Sequence, residues 1–277
     1  MVAYLSIDDP DDPRIAAFRD VRERDRVGRE GRFIAEGAVV LAALAASPGH
    51  VAEAVLLDAR RVDGLGEILA RLPARTPVYL AGRAVLDAIA GFPLHRGILA
   101  VAKRAAPVTA EALLAALPQR AVVVVACGIA NHDNIGGIFR NAAAFAADAV
   151  LLDATSCDPF YRKAIRVSVG HVLKVPQARL AAGADPVDLL HRHGFEVLSL
   201  TPSAGERLVD VVAPQRVALV LGTEGAGLPA EVLARSRAVS IPMAPGVDSL
   251  NVAVTCGIVL HHLTARPAAD AAASPHR

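Results

Sequence analysis

The chain has 277 residues, an apolar fraction of 53% and a formal net charge of +1, which suits one large or two modest soluble domains and excludes a protein held on nucleic acid by bulk charge alone. Its longest uninterrupted apolar stretch, residues 38–46, is about half of what a bilayer crossing needs, and residues 1–9 lack the basic start and apolar core of a secretory signal, so no membrane association and a cytoplasmic location are expected. Cys127, Cys157 and Cys256 form no CxxC pattern, and the nine histidines show no ligand spacing, so neither a disulfide framework nor a metal site is expected.

In chain order, the pattern predicts an amphipathic helix over 13–26, a strand over 32–36, a helix over 38–46 and a strand over 51–57. There follow a helix over 66–72, a strand over 77–80, a helix over 84–90 and a strand over 97–102, which together make a compact α/β domain over residues 1–106. Residues 103–109 break the pattern with charges and a proline and read as a linker into a short helix over 111–117. From there strands are expected at 122–126, 149–152, 172–175, 196–200, 217–221 and 238–241, alternating with helices and closed by a helix over 249–263. That alternation is a doubly wound α/β pattern spanning 107–266, and the alanine-rich tail 267–277 is expected to be disordered.

The N-terminal segment concentrates arginine: Arg14, Arg19, Arg22, Arg24, Arg26, Arg29 and Arg32, interleaved with Asp20, Glu23, Asp25 and Glu30. Two readings stand side by side, a solvated face laced with ion pairs and a surface that contacts phosphate.

The chemistry concentrates in three loops of the second domain. Residues 122–126 are short, continuous and β-branched, the signature of a strand covered on both faces, and the polar turn after them lies at a sheet edge where open α/β folds place ligands. That turn begins His132-Asp133-Asn134-Ile135-Gly136-Gly137-Ile138-Phe139-Arg140. There is no GxxxxGK[ST], and the glycines of Gly222-Thr223-Glu224-Gly225-Ala226-Gly227 have the wrong spacing for GxGxxG, so neither a P-loop enzyme nor a standard dinucleotide dehydrogenase is expected. The third loop runs Ile241-Pro242-Met243 and on to Ser249-Leu250-Asn251-Val252.

These three segments resemble the motifs of the SpoU/TrmH family of RNA 2′-O-ribose methyltransferases, part of the SPOUT superfamily. Motif one is matched by Asn134, Gly136 and Arg140; motif two by Leu219 through Pro229; motif three by Ile241-Pro242-Met243 and Ser249-Leu250-Asn251-Val252. The first domain is similar, through Arg32-Phe33-Ile34-Ala35-Glu36-Gly37 and His95-Arg96-Gly97-Ile98, to the family's auxiliary RNA-binding domain. Asp133 and Thr223 depart from the residues frequent at their positions.

The resemblance implies a SPOUT-type α/β domain with a deep C-terminal trefoil knot, preceded by a smaller α/β RNA-binding domain. It implies S-adenosylmethionine as cofactor, held by Leu200, Thr201, Gly222, Glu224, Gly225, Ile241, Met243, Ser249 and Leu250. Catalytic roles fall on Arg140, Asn134, Glu224, Ser249 and Asn251. Contact with RNA falls on Arg162, Lys163 and Arg166, with Arg22, Arg29 and Arg32 of the first domain. A homodimer and a ribosomal RNA substrate are implied; a transfer RNA 2′-O-methyltransferase and a non-catalytic RNA-binding protein of the same fold are the alternatives. Arg140 poses a chemical question, since a guanidinium is a poor proton acceptor: it either activates the ribose hydroxyl, stabilises the developing alkoxide or fixes the adjacent phosphate.

Overall fold

The computed structural model describes residues 3–19, 31–90, 96–223, 225, 227–247 and 249–265. Two compact units divide the chain: Met1–Pro107 with Asp158–Lys174, and Val108–Cys157 with Val175–Arg277.

The first unit is a mixed five-stranded sheet of β1 (Tyr4–Ile7), β2 (Arg32–Glu36), β3 (Val51–Asp58), β4 (Val78–Ala81) and β5 (Ile98–Lys103), ordered β1-β4-β3-β5-β2. β1 and β3 flank β4 in parallel, whereas β5 runs antiparallel to both β3 and β2. β5 lies between neighbours and is buried from Ile98 through Ala102, which is why it reads as an unbroken apolar run. β1 escaped the sequence reading because it is a four-residue edge strand with only Ile7 buried. Of the helix expected over 13–26, the described part is a 3-10 helix, Pro13–Phe18, whose Ile15 and Phe18 enter the core beside Leu56, Leu86 and Leu99; the remainder lies outside the described residues, as does the tail 267–277.

Asp158–Lys174, expected from the sequence to belong with the second domain, packs in the first unit. Phe160 stands 5.4 Å from the ring of Phe33 and 5.2 Å from that of His50, and the Arg104 guanidinium lies 4.0 Å over Phe160 while pairing with Asp158. Arg162 reaches the buried carboxylate of Glu36 at 2.9 Å. Gly170, at φ +81°, lets the chain press onto the helix Ala38–Ala45, where an added Cβ would stand 2.6 Å from that of Ala43. Burial, with the Arg104 charge nearby, lowers the pKa of His50, whose Nδ1 accepts from the Ala105 amide at 3.0 Å.

The strand expected over 172–175 is instead a 3-10 turn, His171–Leu173. Val172 and Leu173 are apolar because they are buried, not because they lie in a ladder, and the strand forms at Gln177–Arg179 after Pro176.

The second unit holds a fully parallel seven-stranded sheet in the order β10-β12-β9-β11-β6-β7-β8. Its strands are β6 (Ala121–Ala126), β7 (Ala149–Leu152), β8 (Gln177–Arg179), β9 (Glu196–Leu200), β10 (Glu206–Arg207), β11 (Arg216–Leu221) and β12 (Arg237–Ser240). Every residue of β6 and β7 is buried, as both-face coverage requires. From β6 the order runs one way to β7 and β8 and the other way to β11 and β9, so the crevice at the carboxyl ends of β6 and β11 is a topological switch point. The motif-one and motif-two loops leave the sheet there. No helix among the described residues is long and apolar enough to cross a membrane.

Candidate active site

The carboxyl end of β6 feeds a short turn into the motif-one helix, His132–Ala144. Asn131, not Asn134, caps this helix: its side chain accepts from the Asp133 amide at 2.8 Å. Asn134 sits within the first turn and is 4% exposed, too deep to act as a cap. Its Oδ1 accepts from Nδ2 of Asn251 at 2.8 Å. Asn251 in turn caps the final helix, Val252–Thr264, accepting from the amides of Ala253 and Val254 at 2.9 and 3.3 Å. Motifs one and three are therefore joined by a side-chain hydrogen bond between two helix beginnings. Arg140 is exposed, and no hydrogen bond or ion pair engages its side chain among the described residues.

The turn that launches the motif-one helix is held from β7. Ser156, buried, accepts from the Ile129 amide at 3.0 Å and donates to the Ala126 carbonyl at 3.1 Å. Arg179 donates to the carbonyls of Asp153 and Ser156 at 2.6 and 2.8 Å. Burial alone would push the Asp153 carboxyl up, but hydrogen bonds from Ser156, Thr155 and Gly128 outweigh it and hold the pKa below its ordinary value. Cys127 is pushed up to about 12, by burial first and by Asp153 second, so it stays a thiol and no nucleophile.

Beside these elements the loops after β9, β11 and β12 enclose a cavity of about 310 Å³, within the size range of small-ligand sites. Leu200 and Thr201 line it from β9, Gly222, Thr223 and Gly225 from β11, Ile241 and Met243 from β12, and Ser249 and Leu250 from the approach to the final helix. All the cofactor-binding residues expected from the sequence thus meet in one cavity except Glu224, which lies outside the described residues. Thr223, Leu228 and Thr255 line it too and were not anticipated. Thr255 had a signal, standing one helical turn after Asn251, whose carbonyl accepts from its amide at 2.9 Å. An added Cβ at Gly222 would lie 2.6 Å from the Gly227 carbonyl carbon, so the loop folds back on itself only because that residue has no side chain. Arg140, Asn134 and Asn251 are not among the lining residues; Asn251 instead links the Ser249-Leu250 wall to the Arg140 helix.

The described residues among those expected to meet RNA lie in the first unit. Lys163 and Arg166 are exposed on the short helix Arg162–Val167. Arg162 is engaged by Glu36, and Arg32, on β2, pairs with Glu53 at 2.7 Å. Arg22 and Arg29 lie outside the described residues. Among the described residues no group of three histidines, cysteines or carboxylates could hold a metal ion.

Residues 121–261 match the model of the SpoU rRNA Methylase family. An uncharacterized tRNA/rRNA methyltransferase of Mycobacterium bovis is 39% identical over 92% of this chain and 90% of its own length. The 23S rRNA (guanosine-2′-O-)-methyltransferase RlmB of Salmonella typhi is 30% identical over 80% of this chain and 93% of its own. Among solved structures, an AdoMet-bound rRNA methyltransferase from Sinorhizobium meliloti superposes with a TM-score of 0.79 at 23% identity, covering 94% of this chain and 97% of that one. An RNA 2′-O ribose methyltransferase superposes with a TM-score of 0.73 at 26% identity, covering 94% and 98%.

Proposed function

This chain belongs to the SpoU rRNA methylase family, and we infer that it transfers a methyl group from S-adenosylmethionine to a ribose 2′-hydroxyl of RNA, ribosomal RNA being the substrate. The observation that carries the reading is the convergence of the three motifs: two of them wall one cavity, and the third is hydrogen-bonded to that wall through Asn134 and Asn251. Similarity over 80% of this chain to a 23S rRNA methyltransferase supports ribosomal over transfer RNA.

The cavity fits the cofactor. Its walls are apolar at Leu200, Ile241, Met243 and Leu250, and loop backbone is brought close by Gly222 and Gly225. That combination suits an adenosine, with an apolar face for the base and amides and carbonyls for its edge. Leu200, Thr201, Gly222, Ile241 and Met243 hold the adenosine, Leu250 packs on the base, and Gly225 and Ser249 order the rim, while Glu224 keeps the role in cofactor binding that the motif resemblance implies. When bound, S-adenosylmethionine supplies an electrophilic methyl group on a sulfonium.

What the protein must present is a ribose oxygen that is losing its proton. Arg140 stabilises that oxygen as negative charge develops, since its guanidinium donates in several directions and accepts no proton, and the hydroxyl proton passes to solvent water as the methyl group leaves the sulfonium behind as a neutral thioether. Asn134 and Asn251 keep the Arg140 helix in place. Because Arg140 is exposed, unpaired among the described residues and absent from the wall of its own cavity, it serves the cavity of a second copy in a homodimer. Val254 at 52% and Ile258 at 38% exposure give the final helix an apolar face for that contact.

A deep trefoil knot, an exception to unknotted topology, is the threading expected for this domain, and the passage of the chain from β11 across β9 to β12 is compatible with it. The first unit grips RNA phosphate through Lys163 and Arg166, with Arg22 and Arg29 as further expected contacts, while Arg162 and Arg32 are held by Glu36 and Glu53, and the enzyme works in the cytoplasm, where its RNA resides.

The test is methyl transfer from labelled S-adenosylmethionine to purified ribosomal and transfer RNA in parallel, followed by alkaline hydrolysis. Label in ribosomal RNA at an alkali-resistant linkage supports the reading, because a 2′-O-methyl group blocks cleavage there. Label confined to transfer RNA would move the substrate, and cofactor-independent RNA binding without transfer would make the chain a non-catalytic binder.

A further inference from the structure

We propose that Asn141 is a positioning residue for methyl transfer, bolting the motif-one helix to the final helix in the register that presents Arg140; the inference rests on the role given to Arg140 above. Asn134, Gly137 and Asn141 are spaced three and four residues apart and form one stripe along the motif-one helix. Each meets the final helix or its cap. At one end Asn251 donates to Asn134. In the middle an added Cβ on Gly137 would stand 2.6 Å from that of Ala253, so backbone meets methyl directly. At the far end Nδ2 of Asn141 donates to the Ala253 carbonyl at 2.6 Å, and Gly257 leaves the room for it, since a Cβ there would lie 3.2 Å from both Oδ1 and Nδ2 of Asn141.

A single hydrogen bond between two helices fixes where they touch and leaves them free to roll or slide. Two, seven residues and thus roughly 10 Å apart along the axis, fix rotation and translation together. Arg140 adjoins Asn141 in the chain, is exposed and has no partner among the described residues, so its direction is set by the helix that carries it rather than by contacts of its own. The carbonyl that Asn141 grips lies three residues beyond Leu250 in the chain and Ser249 and Leu250 line the cavity, so the bolt ties the arginine-bearing helix to the cofactor wall of its own chain, the fixed body from which Arg140 reaches the partner's cavity.

The experiment uses the full chain with Asn141→Ala, Asn141→Asp, Gly257→Ala and the pair Asn141→Ala with Gly257→Ala. Aspartate keeps the size of asparagine but cannot donate to a carbonyl. Expected is a fall in kcat on the order of 10- to 100-fold for both Asn141 variants, the loss typical of a reacting group displaced by about 1 Å, while Kd for S-adenosylmethionine and for RNA stays within twofold of wild type. Gly257→Ala, which crowds the amide without removing it, lowers kcat in the wild-type background and adds little on top of Asn141→Ala; it also supplies the reading if Asn141→Ala fails to fold. Unchanged kcat in the Asn141 variants, a loss matched by equal loss of RNA or cofactor binding, or additive effects in the pair would overturn the inference. If the wild-type chain transfers no methyl group at all, the reading of the site falls and the inference with it; an active wild type beside unaffected variants sinks the inference alone.

Discussion

Replacing Gly222 by alanine tests whether the cavity depends on the folded-back motif-two loop. The new methyl group would sit 2.6 Å from the Gly227 carbonyl carbon and 2.7 Å from both the Gly227 oxygen and the Leu228 amide nitrogen. Ordinary contact begins near 3.4 Å, so the facing strand of the loop must retreat by about 0.8 Å, and because it is backbone it cannot swing aside as a side chain would. Forcing one extra carbon into a packed site costs about 1–3 kcal/mol. Gly227 and Leu228 themselves line the cavity, so the retreat deforms the binding surface and the cost falls on ligand affinity as well as on folding. A weakening of about 10- to 100-fold in S-adenosylmethionine affinity corresponds to about 1.4–2.8 kcal/mol, the same range. Calorimetric titration and a thermal melt on the same preparation read both quantities. A Kd within twofold of wild type together with an unchanged Tm would refute the reasoning, because it would show that the loop yields freely.

Three further outcomes follow from the same structure. Glu36→Ala leaves Arg162, whose side chain is mostly buried, without its carboxylate and should destabilise the protein by about 3 kcal/mol, read by urea unfolding; Glu36→Gln should recover part of that loss. Asp153 has a folded pKa below its ordinary 3.8, so its contribution to stability is complete at neutral pH and fades as pH falls below that value through the folded pKa. Thermal melts from neutral to acid pH should therefore show a shallower acid decline for Asp153→Asn than for wild type, and identical slopes would remove the carboxylate from the clasp. Substituting Lys163 and Arg166 together by alanine should weaken RNA binding and flatten its dependence on salt by about one to two units of log–log slope, with S-adenosylmethionine affinity unchanged; an unaltered slope would exclude both residues from phosphate contact.

Much of the second unit was legible because its strands are buried on both faces and announce themselves as continuous apolar runs, as 121–126 and 216–221 do. The cavity wall was legible for a different reason: Gly222, Ile241, Met243, Ser249 and Leu250 fall in the segments that resemble the SpoU/TrmH motifs. What escaped were features decided by distant parts of the chain. Nothing local in Phe160 or Arg162 says that they fold against Phe33 and Glu36 of the first unit, since the pairing partners lie more than a hundred residues away. Val172 and Leu173 looked like a strand because burial alone produces the same apolar pattern. Nothing local marked Asn131 as the helix cap; its hydrogen bond from the Asp133 amide and the depth of Asn134 assign the role. Asn141 lies in the motif-one run beside Arg140 but was given no role from sequence, because its partner is a backbone carbonyl on another helix.

The central claim is that Arg140 acts on the reacting ribose while a separate cavity holds the cofactor. The most direct test is single-turnover methyl transfer by Arg140→Ala on ribosomal RNA, with S-adenosylmethionine binding measured on the same protein. Transfer should fall by two orders of magnitude or more, on the order of 3 kcal/mol of lost transition-state stabilisation, while cofactor affinity stays within twofold of wild type. Retained turnover, or cofactor binding lost in a folded protein, would contradict that division of labour.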